Sequence, residues 1–303
     1  MKKPKKAIKN DQVVNAYKYG DTIEMSTSLG SQPIMKKVNR DEMVNTITGE
    51  LKTIKHVENR ADPKNYESLR STFKRLKRLI GANFQGGQAE LWLTLTYRDS
   101  PMTDSKRLYD DFKQFIRRLR KATNKELAYI VIIEPQASGS LHAHLLLKTL
   151  DKSRLYIAND VVATAWGQGF VNVRRLKDTD NVSAYLMAYL TNVDLNNLEG
   201  DFEGDKDKKD KKDKPKKIIK GGRLSLYPLH MQIYRKSRKG IVQPTKIIAE
   251  KREIKKDFDL GESDYYRAFT IKKGDENFNI ETEYYSISKS KIQKALKRIN
   301  KKS

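Results

Sequence analysis

The sequence predicts an α+β fold: a central antiparallel sheet with helices packed on it. Strand-like and helix-like stretches follow one another between residues 90 and 174 in the order β-α-β-β-α-β. The joint between the two middle strands is short and rich in turn residues, so those strands pair as a hairpin. The helical stretches are amphipathic, each with one apolar stripe to bury. That order is the split pattern of ferredoxin-like sheets, whose first and third strands lie side by side in the middle.

Residues 1–35 are polar and broken around Tyr17-Lys-Tyr19, and read as a mobile basic arm. Asn45–Glu50 places Thr48-Gly49 between short strands, a hairpin. Together residues 1–58 form an N-terminal arm and hairpin. Asn65 caps a helix reaching about Leu79, with Leu69, Phe73, Leu76 and Leu79 at helical spacing and Arg or Lys over the rest. Glu90–Tyr97 is a strand rich in β-formers. Thr103 caps a helix to Lys121 that buries Leu108, Phe112, Phe115, Ile116 and Leu119. Strands Leu127–Glu134 and Leu141–Lys148 follow, then a helix over Asn159–Trp166 ended by Gly167 and Gly169, then a strand over Phe170–Arg174. Thr179 or Asp180 caps a further helix to Asn192, held by Val182, Leu186 and Leu190. Residues 201–217 alternate Asp and Lys around Pro215, a flexible solvated loop. Tyr234–Gly240 is a basic patch with an aromatic. Residues 245–303 read as a small α+β extension, with strands Tyr265–Ile271 and Phe278–Ser288 and a basic amphipathic helix through Ile292, Leu296 and Ile299. Its role is a partner or dimer contact.

The chemistry gathers between Ile130 and Lys148. His142 and His144 are two apart on one strand, so both imidazoles project from one face while Leu141, Ala143 and Leu145 take the other. Glu134 ends the neighbouring strand and reaches the same face. Two imidazoles and a carboxylate make a three-ligand site for a divalent metal. The chain has only 4 histidines, which sharpens the signal from a pair of them in one apolar strand.

The charge balance points to a polyanionic partner. Lys and Arg number 62 against 38 acids, a net +24 spread along the chain, and nucleic acid is the usual polyanion for so basic a protein. With no cysteine there is no disulfide framework and no thiolate zinc site. Met1-Lys-Lys-Pro-Lys-Lys is followed by no apolar run, so the expected location is the cytoplasm. There is no Gly-x-x-x-x-Gly-Lys-Ser/Thr phosphate loop, so no intrinsic ATPase or helicase activity is expected.

Tyr185 and Tyr189 are four apart and share one helix face, apart from the Val182/Leu186/Leu190 stripe. Such a pair fits core packing. After a metal strand in a basic protein it also fits nucleophilic attack by a phenolate on a phosphodiester. Arg174, Arg175 and Lys177, between the last strand and this helix, are placed to hold DNA phosphates. Thr94 and Thr96 fit either a half-buried β-face or contacts to the metal site and DNA.

Leu93-Thr-Leu-Thr96, Glu134-Pro-Gln-Ala-Ser-Gly-Ser-Leu-His-Ala-His144 and Tyr185-Leu-Met-Ala-Tyr189 together resemble the three ordered motifs of HUH endonucleases. More narrowly they resemble rolling-circle replication initiator (Rep) proteins of Gram-positive plasmids and mobile elements, over about Asn59 to Pro244. The small Ala143 between the histidines is a departure that faces away from the metal. The resemblance implies an HUH/ferredoxin-like endonuclease domain over 59–244 that nicks one strand at the double-strand origin. His142 and His144, with Glu134 as third ligand, would hold Mg2+ or Mn2+. A tyrosine would keep the 5′-phosphate as a phosphotyrosine and release a 3′-OH primer. Tyr189 is assigned the first attack and Tyr185 the second, and the reverse assignment also fits. The implied partners are origin DNA, a host helicase and a host DNA polymerase. Two alternatives remain at this point: an HUH relaxase of conjugative transfer, and a non-enzymatic basic DNA-binding regulator.

Overall fold

The computed structural model describes residues 7–28, 35–56, 66–99, 101–136, 138–176, 226–228, 231–273 and 276–291. The helix expected over 179–192, the loop 201–217, Lys177 and the helix after residue 291 lie outside them.

The elements, in chain order, begin with β1 (Val13–Tyr19), β2 (Thr22–Ser26), β3 (Met35–Lys37), β4 (Glu42–Asn45), β5 (Leu51–Thr53) and α1 (Tyr66–Asn83). They continue with β6 (Glu90–Leu95), α2 (Ser105–Thr123), β7 (Leu127–Pro135), β8 (Leu141–Thr149), α3 (Asn159–Trp166) and β9 (Val171–Arg175). The last are β10 (Tyr234–Lys236), β11 (Thr245–Glu250), α4 (Lys251–Asp257), β12 (Tyr265–Lys273) and β13 (Glu276–Ser286). The chain is thus α+β, with antiparallel sheets and a few helices. It divides into two compact units, Val57–Gln243 and Met1–His56 with Pro244–Ser303.

In the unit spanning 57–243 the strands lie in the order β10-β7-β8-β6-β9, every neighbouring pair antiparallel. β8 and β6 are therefore central. Register then assigns the faces, because directly opposed residues share one. His144 lies opposite Thr94 on one side and Ile132 on the other, and His142 lies opposite Glu134. Leu91, Leu93, Ala143, Leu145, Tyr129 and Val131 line the reverse face, where Phe112 of α2 meets Tyr129 edge-on at 5.2 Å and Phe115 meets Trp166 of α3 at 5.8 Å. On the histidine face the end of α1 is tied to β8, Lys148 Nζ donating to Asn83 O at 3.2 Å and to Asn83 Oδ1 at 3.1 Å.

Two helix ends differ from the sequence reading. The N-cap of α2 is Asp104, not Thr103: its carboxylate accepts from the Lys106 and Arg107 N–H groups at 2.8 and 3.1 Å. A carboxylate there also meets the positive end of the helix dipole. α1 runs on to Asn83 because Ile80 extends its buried stripe by a turn. Gly167, at φ 68°, ends α3 as its spacing predicts. Two arginines of α2 also serve the fold. Arg118 donates to the Ala165 and Trp166 carbonyls that end α3, and Arg120 donates to Leu127 O.

In the other unit the strand order is β11-β1-β2-β13-β12, again antiparallel. The mobile arm expected over residues 1–35 is, from Val13 to Ser26, a hairpin inside this sheet. Val14, Ala16, Ile23 and Met25 are fully buried, but Asn15, Tyr17, Lys18 and Glu24 among them blur the period-2 signal. β11 and α4 were likewise not foreseen. β3-β4-β5 form a separate meander, with the expected turn at Gly49.

Candidate metal centre

The two middle strands bring the cluster together. β7 ends with Glu134-Pro135, and Pro135 needs no further ladder donor at that point. The chain then turns into β8, with Gln136 N donating to Ser140 O at 2.8 Å and Gly139 N to Gln136 O at 2.9 Å. Ser140 is buried and its hydroxyl accepts from Met102 N at 3.1 Å, while Leu141 N donates to Met102 O at 2.7 Å. The segment after β6 therefore fixes where β8 starts, and with it the height of both histidines.

Both imidazoles turn Nε2 toward one carboxylate oxygen. His144 Nε2 lies 3.0 Å from Glu134 Oε2 and His142 Nε2 lies 3.3 Å from it. The rings are 4.7 Å apart at 74°. The three donor atoms all lie within 4.8 Å of one another, so this group could hold a metal ion. Donors bound at about 2.1 Å to one cation at right-angled to tetrahedral angles sit roughly 3.0–3.4 Å apart, the spacing that Glu134 keeps with each imidazole. Two nitrogens and one carboxylate oxygen suit a borderline divalent cation with open positions for substrate.

The outward nitrogens are held as well. Thr94 Oγ1 lies 3.3 Å from His144 Nδ1, and Gln136 Nε2 lies 3.1 Å from His142 Nδ1. Such contacts fix ring orientation and tautomer, which for a metal-bound Nε2 requires the proton on Nδ1. Thr94 can accept that proton directly. Gln136 accepts it once its amide presents Oε1, and carbonyl and amino ends of an amide are interchangeable by a half turn. Trp92 stands edge-on to His144 at 6.1 Å and walls the cluster. Burial by itself would raise the Glu134 pKa. Hydrogen bonds from His142 and His144, and their charge, outweigh it and hold the carboxyl at about 2.

The other candidate residues fall as follows. Arg174 lies opposite Trp92 and so shares the histidine face; it is exposed. Arg175 lies opposite Leu91 on the reverse face, where it donates to Gln88 O at 3.0 Å and Leu155 O at 3.5 Å. Thr96 sits past the end of β6, its N–H donating to Phe170 O and its carbonyl accepting from Trp166 Nε1. Tyr185, Tyr189 and Lys177 lie outside the described residues. Gln136 is the member that sequence reasoning missed: it sits in a turn, at no periodic position.

With the geometry in hand, comparison with protein families becomes informative. Residues 90–194 match the family model of the replication-associated protein ORF2. The matched segment spans β6 to β9, includes Glu134, His142 and His144, and continues through Tyr185 and Tyr189. This likeness to replication-associated proteins links the cluster to DNA replication. No curated protein and no solved structure matches the chain.

Proposed function

We propose that this protein initiates rolling-circle replication by metal-dependent nicking and strand transfer. One observation carries the reading: Glu134, His142 and His144 aim their donor atoms at one point within the segment that resembles replication-associated proteins. The strand order β7-β8-β6-β9 is that of an HUH/ferredoxin-like core, which supports the same reading. The catalytic domain on this view is about 59–244.

A divalent cation such as Mg2+ or Mn2+ at this site would polarise the scissile phosphate and offset charge developing on its oxygens. The protein's own groups supply the rest. Glu134, His142 and His144 are the metal-holding set, with Thr94 and Gln136 keeping both rings in line. The hydroxyl oxygen of Tyr189, or of Tyr185, attacks phosphorus. The bond from phosphorus to the 3′ oxygen breaks, the 5′-phosphate stays on tyrosine, and a proton passes to the departing 3′-OH. The second tyrosine would close the product after a round of displacement. Arg174 and Lys177 would hold adjacent phosphates. The 3′-OH would serve a host polymerase, a host helicase would open the duplex, and a homodimer is compatible with this scheme.

The test is a denaturing gel of protein incubated with a labelled single-stranded origin oligonucleotide and Mn2+. A protein-linked band that requires metal, is absent in His142→Ala and is lost in one of Tyr185→Phe and Tyr189→Phe is the expected result. No adduct in any lane, on DNA that the protein binds, would leave a DNA-binding regulator instead.

A further inference from the structure

We infer that the protein has a second nucleic-acid site on the reverse face of the β6–β9 sheet, a groove between α2 and β10 that takes single-stranded DNA. The groove encloses about 720 Å3, within the roughly 300–1,000 Å3 of ligand sites and too narrow for the girth of a duplex. Five cations line it, Lys113, Arg117, Arg120, Arg235 and Arg238, against one acid, Asp110. A hollow of about 470 Å3 continues it, sharing Arg120, Tyr129 and Arg238 and adding Lys239.

The lining has the two chemistries that a flexible strand needs, positive charge for phosphates and flat surfaces for bases. The Arg235 guanidinium stacks on the Tyr109 ring with its carbon 3.3 Å from the centroid, which leaves its other face for a base. Tyr109 is held in place by its hydroxyl, which donates to Gln232 O at 3.1 Å. The Tyr129 ring, half-buried and wedged edge-on against Phe112, forms the floor. Arg120 spends one nitrogen on Leu127 O at 2.7 Å, while its buried Nε has no hydrogen-bond partner among the described residues. A buried donor left over in a groove of cations is a place for an anion. Lys113 and Arg238 are exposed and pair with no acid among the described residues.

The metal centre is on the other face, so this groove would hold a stretch of strand away from the scissile phosphate. The proposal takes from the functional reading above only the identity of the polymer as DNA.

The experiment is fluorescence anisotropy of a labelled oligothymidylate in EDTA over a range of salt concentrations. Expected for the double variant Lys113→Glu/Arg238→Glu is roughly ten-fold weaker binding and a salt slope lower by about 1.4, at about 0.7 per single-strand phosphate contact. Lys113→Arg/Arg238→Lys should keep both values. Lys9→Glu/Lys52→Glu, the same change in net charge on exposed residues of the other unit, should keep the slope. Affinity and slope unchanged in the groove variant would overturn the site, as would an equal loss for a duplex of the same sequence. The adduct gel run alongside separates the two proposals. Adduct formation with unchanged groove-variant binding rejects the groove alone, and a lowered slope without any adduct rejects the nicking reading alone.

Discussion

Glu134 is a carboxylate with its side chain only 2% exposed, and it meets two imidazole nitrogens through one oxygen. Burying such a charge is costly unless it is compensated, so its neighbours set its titration. Its pKa of about 2 lies below the ordinary 4.5. A depressed folded value means that the ionised form favours folding above about pH 4.5, and that this stabilisation is lost as pH falls toward 2. In EDTA, the melting-temperature difference between wild type and Glu134→Gln should shrink steadily across that window. A constant difference would mean that the carboxylate's charge is not what the histidines stabilise. For metal binding, Thr94→Val and Gln136→Ala should each weaken Mn2+ affinity roughly 10–100-fold by calorimetry, with fold and donor set intact. The ligands were legible because period-2 alternation and a short turn place His142, His144 and Glu134 together on one face. Thr94 could be paired with His144 only once the register was known. Gln136 had no signal, since a turn residue's direction follows from backbone geometry that composition does not encode.

At the scale of elements, the approach to the site depends on close packing at the end of β6. A Cβ on Gly169 would overlap the backbone of Thr96 to Arg98. No side-chain rotation relieves a clash with backbone, so Gly169→Ala should cost several kcal/mol, on the order of other severe overpacking changes. Thermal unfolding in the absence of metal would measure it, and a loss under about 0.5 kcal/mol would rule the contact out as a constraint. Asp104→Ala should cost about 1 kcal/mol by removing two N–H acceptors at the start of α2. Helix and strand identity in this region was readable because the apolar residues repeat cleanly: Leu108, Phe112, Phe115, Ile116 and Leu119 are all buried, as their spacing predicts. The cap was misplaced by one residue because Thr103 and Asp104 are both good caps, and sequence alone does not fix which takes extended backbone.

At the scale of the whole molecule, the unit built from both ends of the chain is fastened through a buried ion pair. Lys251 Nζ lies 2.8 Å from Glu283 Oε2 and donates to Ile8 O at 2.6 Å, while the same carboxylate accepts from Ile8 N and the Tyr285 hydroxyl. Burial, and then that hydrogen bond, push the Tyr285 pKa well up, so the phenol stays protonated in all ordinary conditions. Removing one partner strands the other charge, so Glu283→Ala should cost about 3–5 kcal/mol. Hydrogen exchange would register this as lost protection in β1, β2 and β13. Little of this unit was legible, because its pairings join residues far apart in sequence, and a strand such as β2, buried on both faces, does not alternate. Charge at this scale was legible: a net +24 predicts DNA affinity that falls steeply with added salt.

The pairing of Ser26 with Thr282 also sets a timetable for synthesis. The two residues are 256 apart, so at roughly 5–20 residues per second β2 emerges from the ribosome about 13–50 s before β13 exists to cover it. During that interval β1 and β2 have two unsatisfied edges, whereas every strand of the β10-β7-β8-β6-β9 sheet has already been made. A chain stopped at Gln243 would carry the orphaned hairpin permanently. Expressed as 57–243 it should stay monodisperse; expressed as 1–243 it should aggregate.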